Sequence, residues 1–115
     1  MRIVRTPTYA KALKRLGKLG ASVLDIGRME QAIASNPEAG DRIPDGGGLR
    51  KMRFGYGLVG KRGGGRTIYY VLKEDTLFLF TAYAKVDKDD LSVDERRLFG
   101  ALVKELRDEA NQTGS

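Results

Sequence analysis

The sequence contains no cysteine and no histidine. Without cysteine there is no disulfide framework, no thiolate metal site and no cysteine nucleophile, and a reducing compartment is compatible. Without histidine, Ser-His-Asp triads, paired-histidine nuclease chemistry and most transition-metal sites drop out. Any catalysis must run on Lys, Arg, Asp, Glu, Tyr, Ser or Thr. Long apolar runs are lacking as well: no stretch approaches the roughly 18–20 residues of a membrane span. The opening MRIVRTPTYAK has no apolar segment of the signal-peptide kind. These absences lead to the expectation of a cytoplasmic protein without a membrane role.

What is present is 115 residues, enough for one core and too few for two. A single domain over residues 1–110 is expected, with a frayed tail at 111–115. The chain carries 21 Lys+Arg against 15 Asp+Glu, a net charge of +6. The excess is local. Residues 1–49 hold 8 basic and 5 acidic side chains, and residues 67–115 hold 7 and 10, so these parts cancel. Residues 50–66 contain Arg50, Lys51, Arg53, Lys61, Arg62 and Arg66 with no acid. A cationic surface for a polyanion is one reading of such a segment, and a solvated basic loop is the other.

The hydrophobic pattern divides the chain into elements. Arg2 to Thr6 alternates and stops at Pro7, which reads as a short edge strand. Tyr9, Leu13 and Leu16 then share a helical face that ends near Gly17 and Gly20. Ser22 with Asp25 forms a capping box before a second helix whose stripe is Ile26, Met29 and Ile33. Turn formers fill 36–48. Leu49 to Phe54 reads as a strand with Lys51 and Arg53 on one face and Met52 and Phe54 on the other. Residues 55–65 hold six glycines and read as a flexible loop. Arg66–Leu72 and Leu77–Ala84 are β-rich strands, the second the more apolar. A second capping box, Ser92 with Glu95, opens a helix over 93–110 with Leu98, Leu102 and Leu106 as its stripe. The order β-α-α-β-β-β-α predicts an α+β fold, an antiparallel sheet with helices packed on one face. Lys51 and Arg53 would then project from the open face.

Several motifs fail on inspection. Gly55-x-Gly57-x-x-Gly60 has the letters of a dinucleotide fingerprint, but no helix follows to hold a pyrophosphate. Gly55-x-x-x-x-Gly60-Lys61 is nearly a phosphate loop, with Arg62 where a magnesium-binding Ser or Thr is needed. Asp87-x-Asp89 begins like a calcium loop, but Ser92 stands at its glycine position and Leu98 at its glutamate position. These acids read as a solvated turn. What survives is a constellation of cations interleaved with Tyr56, Tyr69, Tyr70 and Tyr83. Seven of the nine aromatics lie between Phe54 and Tyr83. Cations neutralise phosphates, and exposed tyrosines stack unpaired bases, so single-stranded RNA is the natural guest. The competing reading is that the tyrosines fill the core; of the adjacent Tyr69 and Tyr70 at least one must face inward.

Three segments carry a family resemblance. Gly47 to Phe54 (GGLRKMRF) is similar to the GGLRKLRF-type strand of RelE/HigB-type toxins. Gly60–Gly64 (GKRGG) leading to Arg66–Tyr70 (RTIYY) resembles their GKRGG-x-RVIYY element. Thr81–Lys85 (TAYAK) with Asp90-Leu91-Ser92 resembles their YAK…DLS ending. The similarity covers most of the chain and is densest from Ile43 to Glu95. It points to the RelE-like, phage-derived branch of type II toxin–antitoxin toxins. The resemblance implies a microbial-ribonuclease-like fold and ribosome-dependent cleavage of mRNA in the A site, which inhibits translation. It implies metal-free attack of the ribose 2′-OH on the adjacent phosphate, with no cofactor. The implied partners are a cognate antitoxin, often of helix-turn-helix type, and the ribosome with its A-site mRNA.

Such a reaction needs a base for the 2′-OH, positive charge for the phosphorane and an acid for the 5′-oxygen. Lacking histidine, the chain would use a lysine as base, its pKa lowered by clustered cations and partial burial. By the resemblance, the basic residues of the first meander strand match Lys51 and Arg53. The arginine opening the next strand matches Arg66, which would clamp the phosphate bidentately. The basic residue after the last strand matches Lys85 to within a residue, and Tyr83 is the tyrosine candidate. Arg50, Tyr56, Lys61 and Arg62 would contact RNA, although Arg50 reads more readily as a surface ion-pair residue. A non-catalytic RNA- or ribosome-binding module of the same fold is the alternative. A free-standing ribonuclease and a DNA-binding protein are weaker readings, the last because no helix has a concentrated basic face.

Overall fold

The computed structural model describes residues 1–113. Its elements, in chain order, are β1 (Arg2–Arg5), α1 (Pro7–Lys18), α2 (Val23–Ser35), β2 (Asp41–Arg42), β3 (Arg50–Phe54), β4 (Gly65–Leu72), β5 (Thr76–Ala84) and α3 (Val93–Thr113). The helix starts follow local chemistry. Thr6 caps α1 by accepting the Tyr9 N–H at 3.2 Å, with Pro7 preset for the first turn. Both capping boxes form: Ser22 and Asp25 exchange hydrogen bonds at α2, and Ser92 and Glu95 do so at α3. Gly20 takes a φ of +110°, which lets the chain turn back after α1. α3 continues to Thr113, beyond the expected start of the frayed tail at 111. Residues 114–115 of that tail lie outside the described residues.

The five strands form one sheet in the order β1-β5-β4-β3-β2. The meander β3-β4-β5 is antiparallel as its short connections require, and the two-residue β2, which the sequence pattern does not announce, pairs antiparallel with β3. β1 lies at the opposite edge and pairs parallel with β5, Ile3 opposite Leu77. The sheet is therefore mixed.

The α+β class holds, but the helices do not share one face. α1 and α2 cover one side through Tyr9, Leu16, Met29 and Ile33, packed against Tyr69, Leu77 and Leu79. α3 crosses the other side, where Phe99 and Val103 meet Ile68, Tyr70 and Phe80. The reason is that β4 and β5 are apolar on both faces. Two helices fill one of them, and the other still presents Ile68, Tyr70 and Phe80, each worth about 1.5–3 kcal/mol when buried. Both Tyr69 and Tyr70 are accordingly inward, one toward each layer. The buried ridge of α3 is Phe99–Val103; Leu102 and Leu106 flank it, and Leu98 is exposed.

A bulge in β5 sets the facing of its second half. The register shifts between Ile68 and Tyr69, opposite Thr81 and Leu79, so Phe80 is the extra residue. Leu77 and Leu79 face α1, Phe80 turns toward α3 and lies 5.6 Å from the Phe99 ring, and Ala82 and Ala84 return to the α1 side. The side-chain hydroxyl of Thr6 reaches the carbonyls of both Leu79 and Phe80, at 3.0 and 2.9 Å, and thereby occupies backbone acceptors at the bulge.

Candidate nucleic-acid interface

Cross-strand partners in a ladder share a face. Arg53 pairs with Arg66 and Arg66 pairs with Tyr83, giving one row across β3, β4 and β5. The next row is Lys51, Ile68 and Thr81. Lys51, Arg53, Arg66 and Tyr83 therefore converge on the α3 side of the sheet. Without the Phe80 bulge, Tyr83 would share the face of Leu77 and Leu79 by simple alternation and lie in the other core.

Arg66 is only 6% exposed. Its guanidinium donates to the carbonyls of Lys61 at 3.2 Å, Gly65 at 2.9 Å and Arg62 at 3.0 Å. The arginine expected to grip phosphate is thus turned onto the loop before its own strand, and it fixes that loop. A guanidinium has five N–H donors, so three bonds to carbonyls do not exhaust it. The loop is anchored elsewhere as well. Tyr56 and Val59 exchange backbone hydrogen bonds at 3.0 and 2.8 Å. The Gly57 N–H donates to Asp25 at 3.0 Å, linking the loop to the α2 capping box. Gly55, Gly64 and Gly65 are there for close approach: a Cβ on Gly64 would run into the Phe54 carbonyl oxygen. Residues 55–65, expected to be flexible, are a braced loop that presents Lys61 and Arg62 to solvent.

Tyr83 is also 6% exposed, and its buried hydroxyl has no hydrogen-bond partner. Burial, reinforced by the Asp90 carboxylate, pushes its pKa up to about 12, against a smaller opposing pull from Arg66. The phenol is therefore a proton donor at any physiological pH. Lys88 Nζ sits 5.0 Å from the centroid of its ring and bonds to both carboxylate oxygens of Glu95.

Lys51 does not stand among free cations. Its ammonium is 3.3 Å from Asp90 Oδ1, and Arg96 Nη2 is 3.9 Å from Asp90 Oδ2. Burial would raise the Asp90 carboxyl, but the Leu91 N–H, Lys51 and Arg96 together outweigh it and hold the group below the usual carboxylate range. Asp90, Arg96, Lys88 and Glu95 were not singled out by the sequence reading as site residues. Their local signals are the Asp90-Leu91-Ser92 element of the resemblance and the Ser92–Glu95 capping box, which fixes where α3 begins. Of the acids read as a solvated turn, Asp87 pairs with Arg15 at 2.9 and 3.0 Å and Asp89 is exposed.

The remaining expected residues separate. Arg53 is exposed beside Arg66, and Lys61, Arg62 and Lys85 are exposed too. None of these four forms an ion pair among the described residues. The Lys85 N–H donates to the Gly64 carbonyl at 2.8 Å, so the turn after β5 is tied to the glycine loop, while the lysine over Tyr83 is Lys88. Arg50 bonds to the Gly40 and Glu38 carbonyls at 2.7 and 3.3 Å and braces the preceding turn. Tyr56 is a correction. At 4% exposure, packed beside Phe54 with ring centroids 6.2 Å apart, it has no free face for a base. Hydrophobic burial wins because the loop before β4 folds back under α2.

Among the described residues, no three acidic side chains gather as a metal site, and no helix is long and apolar enough to cross a membrane. The arrangement offers cations for phosphate and one neutral proton donor. The family model described as "RelE toxin of RelE / RelB toxin-antitoxin system" matches residues 1–113.

Proposed function

The chain belongs to the RelE toxin family, the toxin half of a toxin–antitoxin pair, and from that premise we propose that it is a ribosome-dependent mRNA endoribonuclease that arrests translation. The observation that carries this reading is the row Arg53–Arg66–Tyr83 with Lys51 one row away, all on one face. Positive charge at that row stabilises the phosphorane formed when the ribose 2′-OH attacks the neighbouring phosphate. Tyr83, held neutral with a free O–H, protonates the 5′-oxygen as it leaves. Lys51, released from Asp90 and in its neutral amine form, accepts the 2′-OH proton, and Arg53 and Arg66 hold the phosphate. Lys85, Lys61 and Arg62 grip the RNA backbone on either side, and the products are a 2′,3′-cyclic phosphate and a 5′-OH. The A-site mRNA, the ribosome and a helix-turn-helix antitoxin complete the proposal, with the cytoplasm as the place of action.

A second reading has one observation in its favour. Lys51 is ion-paired and Arg66 is occupied by carbonyls, which suits a binder of RNA or ribosome without cleavage. One experiment decides between them. Wild-type protein is expressed in a bacterial host, and translated mRNA is mapped by primer extension. Codon-phased breaks that disappear in Lys51→Ala/Arg66→Ala, together with growth arrest, are expected. Arrest without breaks leaves the binder, and full toxicity of the double variant removes the proposed site.

A further inference from the structure

Two buried donors on the residues around Asp90 lack a partner at hydrogen-bond distance: the hydroxyl of Tyr83, which the Asp90 carboxylate reaches only weakly, and Nε of Arg96. A buried donor left unpaired costs about 1–3 kcal/mol, so one such atom calls for a reason and two in one cluster point to an acceptor that belongs there. The acceptor now facing this cluster is the carboxylate of Asp90. It fills the place poorly. Its Oδ1 is shared between Lys51 Nζ at 3.3 Å and its neighbour's Leu91 N–H at 2.8 Å. Its Oδ2 stands 3.9 Å from Arg96, beyond hydrogen-bond reach. The Asp90 side chain is 47% exposed, so the anion sits at the rim with water beside it.

Lys51 comes from β3, Tyr83 from β5 and Arg96 from α3. Three elements thus aim donors at one position and meet only a two-oxygen acid tethered to the backbone. A phosphodiester has the same charge, more acceptor geometry and no tether. Resting on the RNA-cleaving reading above, we propose that Asp90 is an internal placeholder for an RNA phosphate: its carboxylate occupies the anion position made by Lys51, Tyr83 and Arg96, and it swings into solvent when a phosphodiester enters. The exchange gives Tyr83 and Arg96 closer acceptors and transfers the Lys51 contact from Asp90 to the phosphate. Every binding event must first displace Asp90, so the residue weakens RNA binding and screens out weak anions.

The test is binding of a 2′-O-methyl RNA oligonucleotide, which has no 2′-OH to attack, measured by fluorescence anisotropy over a salt series. Asp90→Asn keeps an oxygen for the Leu91 N–H and removes the charge. It should bind on the order of tenfold tighter than wild type, with a salt dependence steeper by about one phosphate contact. Asp89→Asn makes the same change of net charge at an exposed neighbour and should gain far less. Adding Arg96→Gln to Asp90→Asn should cancel the gain. Equal or weaker binding by Asp90→Asn, with wild type binding normally and both proteins melting cooperatively, overturns the placeholder and leaves the RNA reading standing. Equal gains from Asp89→Asn overturn it too, since net charge alone then suffices. If neither wild type nor Asp90→Asn binds the oligonucleotide, the placeholder falls, while the ribosome-dependent reading is decided by primer extension on translated mRNA.

Discussion

Arg66 and Tyr83 are direct partners across the β4–β5 ladder, and their polar ends are in opposite states. The guanidinium of Arg66 is bonded to three carbonyls, while the hydroxyl of Tyr83 has no partner at hydrogen-bond distance and only a weak pull from Asp90. One side chain braces the loop with part of its donor set and the other is held ready. Stability and activity should therefore respond differently to changes at the two positions.

Tyr83→Phe removes the unpaired hydroxyl and keeps the ring that packs under Lys88. Folding should be unchanged or stabilised by up to about 1 kcal/mol, because no hydrogen bond is lost and a buried polar atom is removed. Cleavage should fall by roughly 10²–10⁴, the contribution of a positioned acid. Ribosome-programmed cleavage assays and urea denaturation on the same preparation check both. The pH behaviour follows from the sign of the shift. A phenol raised to about 12 when folded, against about 10 when unfolded, leaves stability untouched below pH 10 and erodes it as pH rises from there through the folded value. Tyr83→Phe should lose that alkaline slope. A variant that cleaves at the wild-type rate removes Tyr83 from the acid role.

The braced loop predicts a contrast between two glycines. A Cβ on Gly64 would meet the Phe54 carbonyl oxygen at 2.2 Å and the Gly60 carbonyl oxygen at 2.9 Å, both backbone atoms that cannot rotate aside. Gly64→Ala should destabilise by about 1–3 kcal/mol through overpacking and should impair cleavage by displacing Lys61 and Arg62. Gly60 has open space around its Cβ position and no positive φ. Gly60→Ala should be neutral or slightly stabilising. Thermal denaturation of the pair, with equal midpoints counting against the bracing, is the measurement.

Far from the site, Glu30 is 3% exposed and joins three elements. Arg5 of β1 bonds to both its oxygens, and the Tyr9 hydroxyl of α1 donates to it at 2.7 Å. Burial alone would raise its carboxyl, but the bonds from Arg5 and Tyr9 outweigh that and hold it below the usual range. A depressed carboxyl contributes stability above its unfolded pKa, near 4.3 for a glutamate, and that contribution is lost as pH falls through the folded value. Glu30→Ala should cost about 3 kcal/mol by leaving Arg5 and Tyr9 without their acceptor. Glu30→Gln should lose part of the acid-side slope. Urea midpoints between pH 3 and pH 7 read both, and a flat profile in the wild type would contradict the ion pair's role.

Much of this was legible without coordinates. The caps at Ser22 and Ser92, the stop at Pro7 and the alternation of Lys51 and Arg53 are rules acting over four residues or fewer, so residue order alone sets them. The absence of histidine and the acid-free segment 50–66 bounded the chemistry in the same way. Tertiary structure decided which face Tyr83 occupies, because strand alternation is reset by the bulge, and the bulge exists where Phe80 packs on Phe99. It decided that Arg66 turns inward, since three carbonyls lie within its reach once Gly64 has tucked beneath Phe54. It also brought Asp90 to Lys51 across 39 residues. Each of these depends on the distance between elements remote in sequence, and that distance is set by the packing of two helical layers on one sheet.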